Sequence, residues 1–378
     1  MNKNILYWSP YLGRVATIKS VINSMIGLKK FMKKSYDVSI INCYGEWDDQ
    51  ISNFKKNKIG IINLQKKIKF KTDLYGFIIS RLIYTVTFLI TYKKLKNLLI
   101  KKQPDFIIVH LLTFIPLFLF LNNKFKTKLI LRISGKPKLS FFRFLLWKIS
   151  NKNIHLVFCP TEETKNHLLR TKIFDKKKIK YLPDPILHDN EIKELSKKKA
   201  KYKFKKNSYF LSIGRLTKQK NHELLINMFN FYKLREKLVI IGDGELFSYL
   251  KNLIIDLKLE KKIQIINYQK NIFDYIKRSK AVIIPSLWED PGFVMIETAY
   301  LKKPIICSNC PSGPKEFIGK NKGGFLFKSN SLTSLINSFE NFFNSSKADL
   351  NKKIQFAKNQ SKIYSIENHT KIISRYLG

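Results

Sequence analysis

The chain has 378 residues, which at roughly 100 to 200 residues per domain is enough for two hydrophobic cores and excludes one small module. Lys and Arg number 71 against 27 Asp and Glu, a net charge of +44, yet 44% of residues are hydrophobic; this excludes a disordered chain and points to an anionic partner. The four cysteines, Cys43, Cys159, Cys307 and Cys310, are too few and scattered for a disulfide framework and fit a reducing cytoplasm; Cys307 and Cys310 form one Cys-x-x-Cys without a second pair or nearby His to complete a zinc site.

The charge is uneven. Residues 51–150 carry 21 Lys or Arg against Asp73 and Asp105, whereas residues 201–378 carry 31 against 14. Only nine of the 71 basic residues are Arg, so part of the excess reads as lysine scattered over solvated faces.

The N-terminus, MNKNILYWSPYLG, has four apolar or aromatic residues before Ser9-Pro10 and no signal-peptide core, so the chain is expected to stay in the cytoplasm. Short apolar or β-branched runs then recur at 5–8, 38–42, 59–64, 106–110, 129–133 and 155–159, separated by helical spacers, the pattern of a parallel sheet. Two longer apolar stretches, 76–92 and 106–121, fall short of the roughly 20 residues of a membrane-spanning helix. The second divides at Leu112 and Thr113 into a buried strand and a short buried helix. The first sets Ile78, Leu82, Val86 and Leu89 on one helical stripe and Tyr84, Phe88 and Tyr92 on another, then runs into Lys93, Lys94, Lys96, Lys101 and Lys102. That suits an anionic membrane surface and equally a core helix with a solvated end.

At 189–207 the pattern dissolves into a Lys/Glu-rich run, read as a linker between a first domain at 1–188 and a second at 208–360. The second series of strands is expected at 209–213, 238–242, 263–266, 281–285, 304–307 and 324–327, with a C-terminal helix in 361–378 expected to pack back on the first domain. The fold class is α/β: two Rossmann-like, doubly wound domains facing across a cleft, with ligands at the carboxyl ends of the strands.

Four features fall at those carboxyl ends. Ser212-Ile213-Gly214-Arg215-Leu216, with Lys220 opening a helix, offers a guanidinium fork and a mobile ammonium that could hold both phosphates of a diphosphate, while Gly214 permits close backbone approach; the spacing is also common in plain connectors. Gly242-Asp243-Gly244 is a glycine-rich turn without the full dinucleotide fingerprint. Between Pro285 and Glu297, Pro291 and Gly292 enforce a turn before an apolar helix whose N-terminal amides form an anion site; Glu289 precedes that helix and Glu297 lies about one and a half turns into it, two carboxylates placed to accept from sugar hydroxyls. Pro311-Ser312-Gly313-Pro314-Lys315-Glu316 is a turn in the cleft wall or a mere connector.

These motifs, in this order and spacing, resemble glycosyltransferase family 4, the retaining nucleotide-sugar enzymes of GT-B fold. The resemblance covers the chain and is strongest over 212–327; Ser9-Pro10-Tyr11 through Gly13 is similar to the family's first strand-to-helix loop, and 131–140 to an acceptor-domain segment. It implies that Arg215 and Lys220 bind the donor diphosphate and stabilise the departing nucleotide, that Glu289 holds the transferred sugar and that Glu297 holds the ribose hydroxyls. It further implies contacts from the amides of Gly292, Phe293 and Val294, and that Gly13 lets the first loop approach the diphosphate. No metal or other cofactor is implied, since Arg, Lys and helix amides supply the charge. The chain departs from the family at Glu289-Asp290-Pro291-Gly292, where many relatives have Glu-Gly-Phe-Gly, and at Ser134-Gly135, where many have a His; His110 is then the nearest first-domain candidate, a packed core histidine being the other reading.

The expected activity is transfer of a sugar, with retained configuration, from a nucleotide sugar (a UDP sugar) to a lipid-linked, polysaccharide or lipopolysaccharide acceptor. The first domain would take the acceptor, on the cytoplasmic face of an anionic membrane. The leaving phosphate would take the acceptor proton, since no side-chain nucleophile is identifiable. A sugar-nucleotide epimerase or phosphorylase on the same fold is the enzymatic alternative. A basic nucleic-acid binder is disfavoured, because the aromatics lie mostly in core runs and lysine dominates arginine.

Overall fold

The structure is a computed structural model in which residues 2–13, 15–32, 36–68, 77–232 and 234–378 are described, the side chains of 77–82 excepted. The chain separates into two compact units, Met1–Pro185 with Ile366–Gly378, and Ile186–Ser365.

Among the described residues the first unit has seven parallel strands: β1 (Lys3–Trp8), β2 (Tyr36–Asn42), β3 (Gly60–Asn63), β4 (Phe106–Val109), β5 (Lys128–Arg132), β6 (Ile154–Cys159) and β7 (Ile179–Tyr181). They lie in the order β3-β2-β1-β4-β5-β6-β7, so the winding reverses between β1 and β4. Alternate residues of each strand enter opposite apolar clusters. Leu6, Trp8, Leu129 and Leu131 join one, and Ile5, Tyr7 and Ile130 the other. Strands apolar on both faces need helices on both, which is why these runs read as continuous rather than alternating hydrophobicity.

The second unit repeats the plan with β8 (Tyr209–Ile213), β9 (Lys237–Ile241), β10 (Ile263–Ile266), β11 (Ala281–Ile284), β12 (Ile305–Ser308) and β13 (Phe325–Phe327), in the order β10-β9-β8-β11-β12-β13. Tyr209 and Leu211 enter one cluster and Phe210 the other. Two parallel sheets of seven and six strands are the expected doubly wound architecture, and the winding reversal between β8 and β11 brings two loops far apart in sequence side by side.

Two features differ from the sequence reading. The run 189–207 is not a free linker: it holds a helix, Asp189–Leu195, with Ile192 buried in the second unit's core, and Ala200 donates its amide to Asp274 Oδ2 at 2.9 Å. Its few apolar residues anchor it while its lysines stay in solvent. The chain instead leaves the first unit after Pro185 and re-enters it at Ile366. The two crossings run together, with Ile186 and Leu187 both donating to the Tyr364 carbonyl at 2.9 and 3.0 Å. The returning helix, Ile366–Leu377, packs on the helix Ala16–Phe31 of the first unit.

The segment 106–121 does divide, into β4 and the helix Phe114–Asn122. The other apolar stretch lies in a long helix, Phe77–Lys102; Gly76 and the side chains of Ile78 and Leu82 lie outside the described residues. Its buried line is Ile83, Thr87, Thr91, Leu95 and Leu99, with each threonine hydroxyl donating to the carbonyl four residues back, at 2.7 and 2.6 Å. Val86 and Leu89, read as one stripe with Ile78 and Leu82, are exposed. Among the described residues no helix is long and apolar enough to cross a membrane.

Candidate active site

The carboxyl ends of β8, β9, β11 and β12 carry the charged groups singled out in the sequence of the second unit. After β8 the chain turns at Gly214, whose amide donates to the Ile241 carbonyl at 3.0 Å, and Leu216 donates to the Asp243 carbonyl at 2.9 Å. The β8 and β9 loops are therefore laced together. Gly242 is required by that lacing, because a Cβ there would lie 1.9 Å from the Gly214 carbonyl oxygen.

Arg215 is exposed and donates from Nη2 to Gln219 Oε1 at 3.3 Å; Gln219 in turn donates from Nε2 to the Trp288 carbonyl at 3.0 Å, and its own carbonyl accepts from Leu287 N at 2.8 Å. The β8 loop is thus held to the loop that follows β11. Lys220 closes a short 3-10 turn, Lys218–Lys220, and the longer helix His222–Phe231 starts two residues later than the sequence suggests. Its stem lies over Gly214, and its Nζ donates to Glu289 Oε1 at 2.5 Å. Ser286 Oγ donates to the same carboxylate oxygen at 2.6 Å. Glu289 is buried, and its backbone is laddered to the β12 loop: its amide donates to the Pro311 carbonyl, and Ser312 donates to its carbonyl, both at 2.8 Å. A buried carboxylate with an ammonium and a hydroxyl on one oxygen has a fixed orientation.

Gly292, at φ +101°, caps the helix Phe293–Tyr300, a backbone conformation that side chains rarely adopt. Phe293 and Val294 are half-buried in its first turn, where amides lack intrahelical acceptors, and Glu297 is buried in the next turn. The structure therefore gathers Gly214, Arg215, Lys220, Glu289, Gly292, Phe293, Val294 and Glu297 into the adjoining carboxyl-end loops of one sheet.

The remaining candidates belong to the first unit. Gly13 is exposed in the loop after β1, with open space where a Cβ would be. His110, at the end of β4, is buried and stacked on the Tyr7 ring at 5.9 Å; burial, then the charges of Arg132 and His369, hold its pKa well below the ordinary imidazole range. It is a neutral core histidine. The half-buried Ser134 has a hydroxyl with no hydrogen-bond partner among the described residues. Cys307 and Cys310 are both buried free thiols. Among the described residues no group of three His, Cys, Asp or Glu side chains is placed to hold a metal ion.

Sequence reasoning missed three participants. Ser286 and Gln219 carried no signal beyond their positions just after predicted strands. His222, buried beside Lys220, approaches Ser212 Oγ with Nδ1 at 3.3 Å; burial, reinforced by the lysine charge, pushes its pKa down to about 3. A neutral imidazole there packs the underside of the Gly214 turn.

Comparison with known proteins fits this geometry. Residues 193–363 match the family described as glycosyl transferases group 1. An uncharacterized glycosyltransferase of Methanocaldococcus jannaschii is 29% identical over 80% of this chain and 76% of its own length. The Escherichia coli UDP-Gal:alpha-D-GlcNAc-diphosphoundecaprenol alpha-1,3-galactosyltransferase is 30% identical over 48% of this chain and 49% of its own. The other curated relatives are likewise matched over about a quarter to a half of their length. Among solved structures, Anabaena HepE in complex with UDP-glucose superposes with a TM-score of 0.71 over 99% of both chains at 14% identity. Residues 193–363 thus carry the match to glycosyl transferases group 1, and the two parallel sheets have the GT-B fold of solved glycosyltransferases.

Proposed function

We propose that the chain is a retaining, family 4 type transferase that moves a sugar from a UDP sugar to a lipid-linked or cell-surface polysaccharide acceptor, working without a metal at the cytoplasmic face of a membrane. The observation that carries this reading is the Lys220–Glu289 pair, fixed by Ser286 and set beside Arg215 and the helix start at Gly292. One small region offers two cations, amide donors and an oriented carboxylate, which is what a sugar diphosphate needs at its two ends.

In this reading Arg215 and Lys220 take the diphosphate. They stabilise the charge that develops on the β-phosphate as the bond from the anomeric carbon to the phosphate oxygen breaks. The acceptor hydroxyl attacks the anomeric carbon from the face the phosphate leaves, its oxygen forms the new glycosidic bond, and its proton passes to the departing phosphate. Configuration is retained without a side-chain nucleophile. Glu289 accepts from a hydroxyl of the transferred sugar while staying bonded to Lys220, so donor sugar and diphosphate are held through one pair. Glu297 accepts from the ribose hydroxyls, the amides of Gly292, Phe293 and Val294 approach the sugar and phosphate, and the first unit takes the acceptor. A UDP donor is supported by the Escherichia coli relative's name and by the Anabaena complex; a lipid-linked acceptor is supported by the diphosphoundecaprenol in the former.

A thermal-shift screen of UDP, ADP, GDP and their sugars, with and without EDTA, tests the donor assignment. A ligand at a hundredfold its Kd adds about 2.7 kcal/mol to the folded state. Stabilisation by uridine nucleotides, unchanged by EDTA and lost in Glu297→Ala, is expected; no shift with any nucleotide would sink the proposal.

A further inference from the structure

We propose that the outer face of the helix Phe141–Ser150 docks the first unit onto an anionic lipid bilayer. This deepens the membrane-surface part of the proposed function and moves the contact away from the lysine-rich end of the helix Phe77–Lys102. The helix is capped by Ser140, whose hydroxyl accepts from Arg143 N at 3.4 Å, and it turns Trp147 and Ser150 into the core. Its outward side is also apolar. Phe141 and Phe142 are 73% and 82% exposed, and Leu145 and Ile149 are exposed with them. At 3.6 residues per turn these four occupy one sector about 100° wide, where a solvent-facing helix ordinarily carries charge.

The adjoining helix Phe114–Asn122 adds Phe118, and the helix Phe77–Lys102, packed in turn on that one, adds Val86 and Leu89, all exposed. The stretch that supplies these helices is strongly cationic: residues 77–161 carry 15 Lys or Arg against a single acid, Asp105, with Arg132 buried on Asp184 and Lys136 paired with Glu163. Lys148 flanks the apolar sector and, with Lys172 and Lys176, lines a shallow cavity of about 390 Å³. The carboxylate at that cavity, Asp175, is paired with Lys178 at 3.3 Å. Exposed aromatic and aliphatic side chains rimmed by cations complement a bilayer, whose apolar interior lies beneath anionic headgroups. A nucleic acid would use the lysines and leave the phenylalanines in water.

The test is co-sedimentation of the full chain with vesicles of phosphatidylcholine alone and of equal parts phosphatidylcholine and phosphatidylglycerol, at low and high salt. The wild-type chain is expected to partition onto the mixed vesicles at low salt and far less onto the neutral ones. The double variant Phe142→Ser, Leu145→Ser is expected to partition about tenfold less, and Lys148→Ser about fivefold less. All three positions are exposed, so the unfolding midpoint and the stabilisation by UDP are expected to match the wild type. Wild-type-like sedimentation of the double variant, failure of the wild type to bind mixed vesicles, or equal binding to neutral vesicles would each overturn the proposal. Loss of the UDP effect with vesicle binding intact would instead count against the donor site alone.

Discussion

At the carboxyl ends of the first sheet the charged groups are buried and turned on one another, whereas at the same ends of the second they stand around a glycine turn with one cation in solvent. In the first unit Arg132 is 2% exposed; its Nη2 donates to Asp184 Oδ1 at 2.6 Å, and Ser20 Oγ donates to the same oxygen at 2.6 Å. Beside them Tyr7 Oη and Ser24 Oγ share a 2.8 Å hydrogen bond, Ser24 Oγ meets His369 Nε2 at 2.9 Å, and His369 Nδ1 lies 2.7 Å from the Pro183 carbonyl. Every link joins the sheet, the helix Ala16–Phe31, the exit at 183–185 or the returning helix Ile366–Leu377. The network fastens the chain where it leaves the unit and where it comes back. In the second unit Arg215 reaches Gln219 alone among the described residues, and Lys220 meets the buried Glu289 beside the Gly214 turn. One strand order therefore supports two arrangements of polar groups: structural closure in the first unit and, in the proposed function, a ligand-holding edge in the second.

Breaking the first network gives the largest expected effect. Arg132→Met leaves Asp184 buried without its cation and is expected to cost about 3–5 kcal/mol in urea unfolding; a change below the error of extrapolation would show that the pair is not structural. At the second edge the cost falls on turnover. Arg215→Ala is expected to lower kcat on the order of a hundredfold with unfolding unchanged, because the side chain is exposed. Lys220→Ala is expected to lower kcat similarly and also to lose about 1–3 kcal/mol of stability, since Glu289 stays buried. Full activity in either variant would remove it from the donor site.

Acid sharpens the contrast. His369 and His222 are buried, and desolvation pushes their pKa values down to about 4 and about 3, while His110 also lies well below the ordinary range. Above pH 6.5 these imidazoles are neutral both folded and unfolded, so they add no pH dependence. Below 6.5 the unfolded chain takes up protons that the folded chain refuses, so stability falls as the pH drops toward 4. The loss attached to His369 is on the order of 2–3 kcal/mol by pH 4. With His110 and His369, the first unit is expected to melt first in acid; His369→Gln is expected to flatten the stability curve between pH 6.5 and 4, and an unchanged slope would contradict this. The smallest effect concerns the thiols. Burial pushes Cys310 up to about 12 and Cys307 well above the ordinary range, so a thiol reagent is expected to label neither in the folded protein and all four cysteines in denaturant.

Much of this was legible in the sequence. The apolar runs at 5–8 and 209–213 mark strands because both of their faces are buried. β7 was missed because three residues, Ile179–Tyr181, stand among lysines with too little pattern to register. The core line of the helix Phe77–Lys102 escaped because Thr87 and Thr91 read as polar, their hydroxyls being satisfied within the helix. At the site, residue types and positions at strand ends could be read directly, but pairing could not. Lys220 and Glu289 are 69 residues apart and meet only because β8 and β11 are neighbours in the sheet. The Arg132–Asp184 pair was hidden for the same reason, arising from a strand end and a chain exit with no motif between them.

The central claim is that the second sheet's edge holds a nucleotide diphosphate through Arg215 and Lys220. Isothermal titration of UDP and of uridine into the wild-type chain and into the double variant Arg215→Ala, Lys220→Ala tests it most directly. The wild type is expected to bind UDP far more tightly than uridine, and the variant to bind both alike, because only the diphosphate loses its partners. A variant that keeps the wild-type preference for UDP would contradict the account.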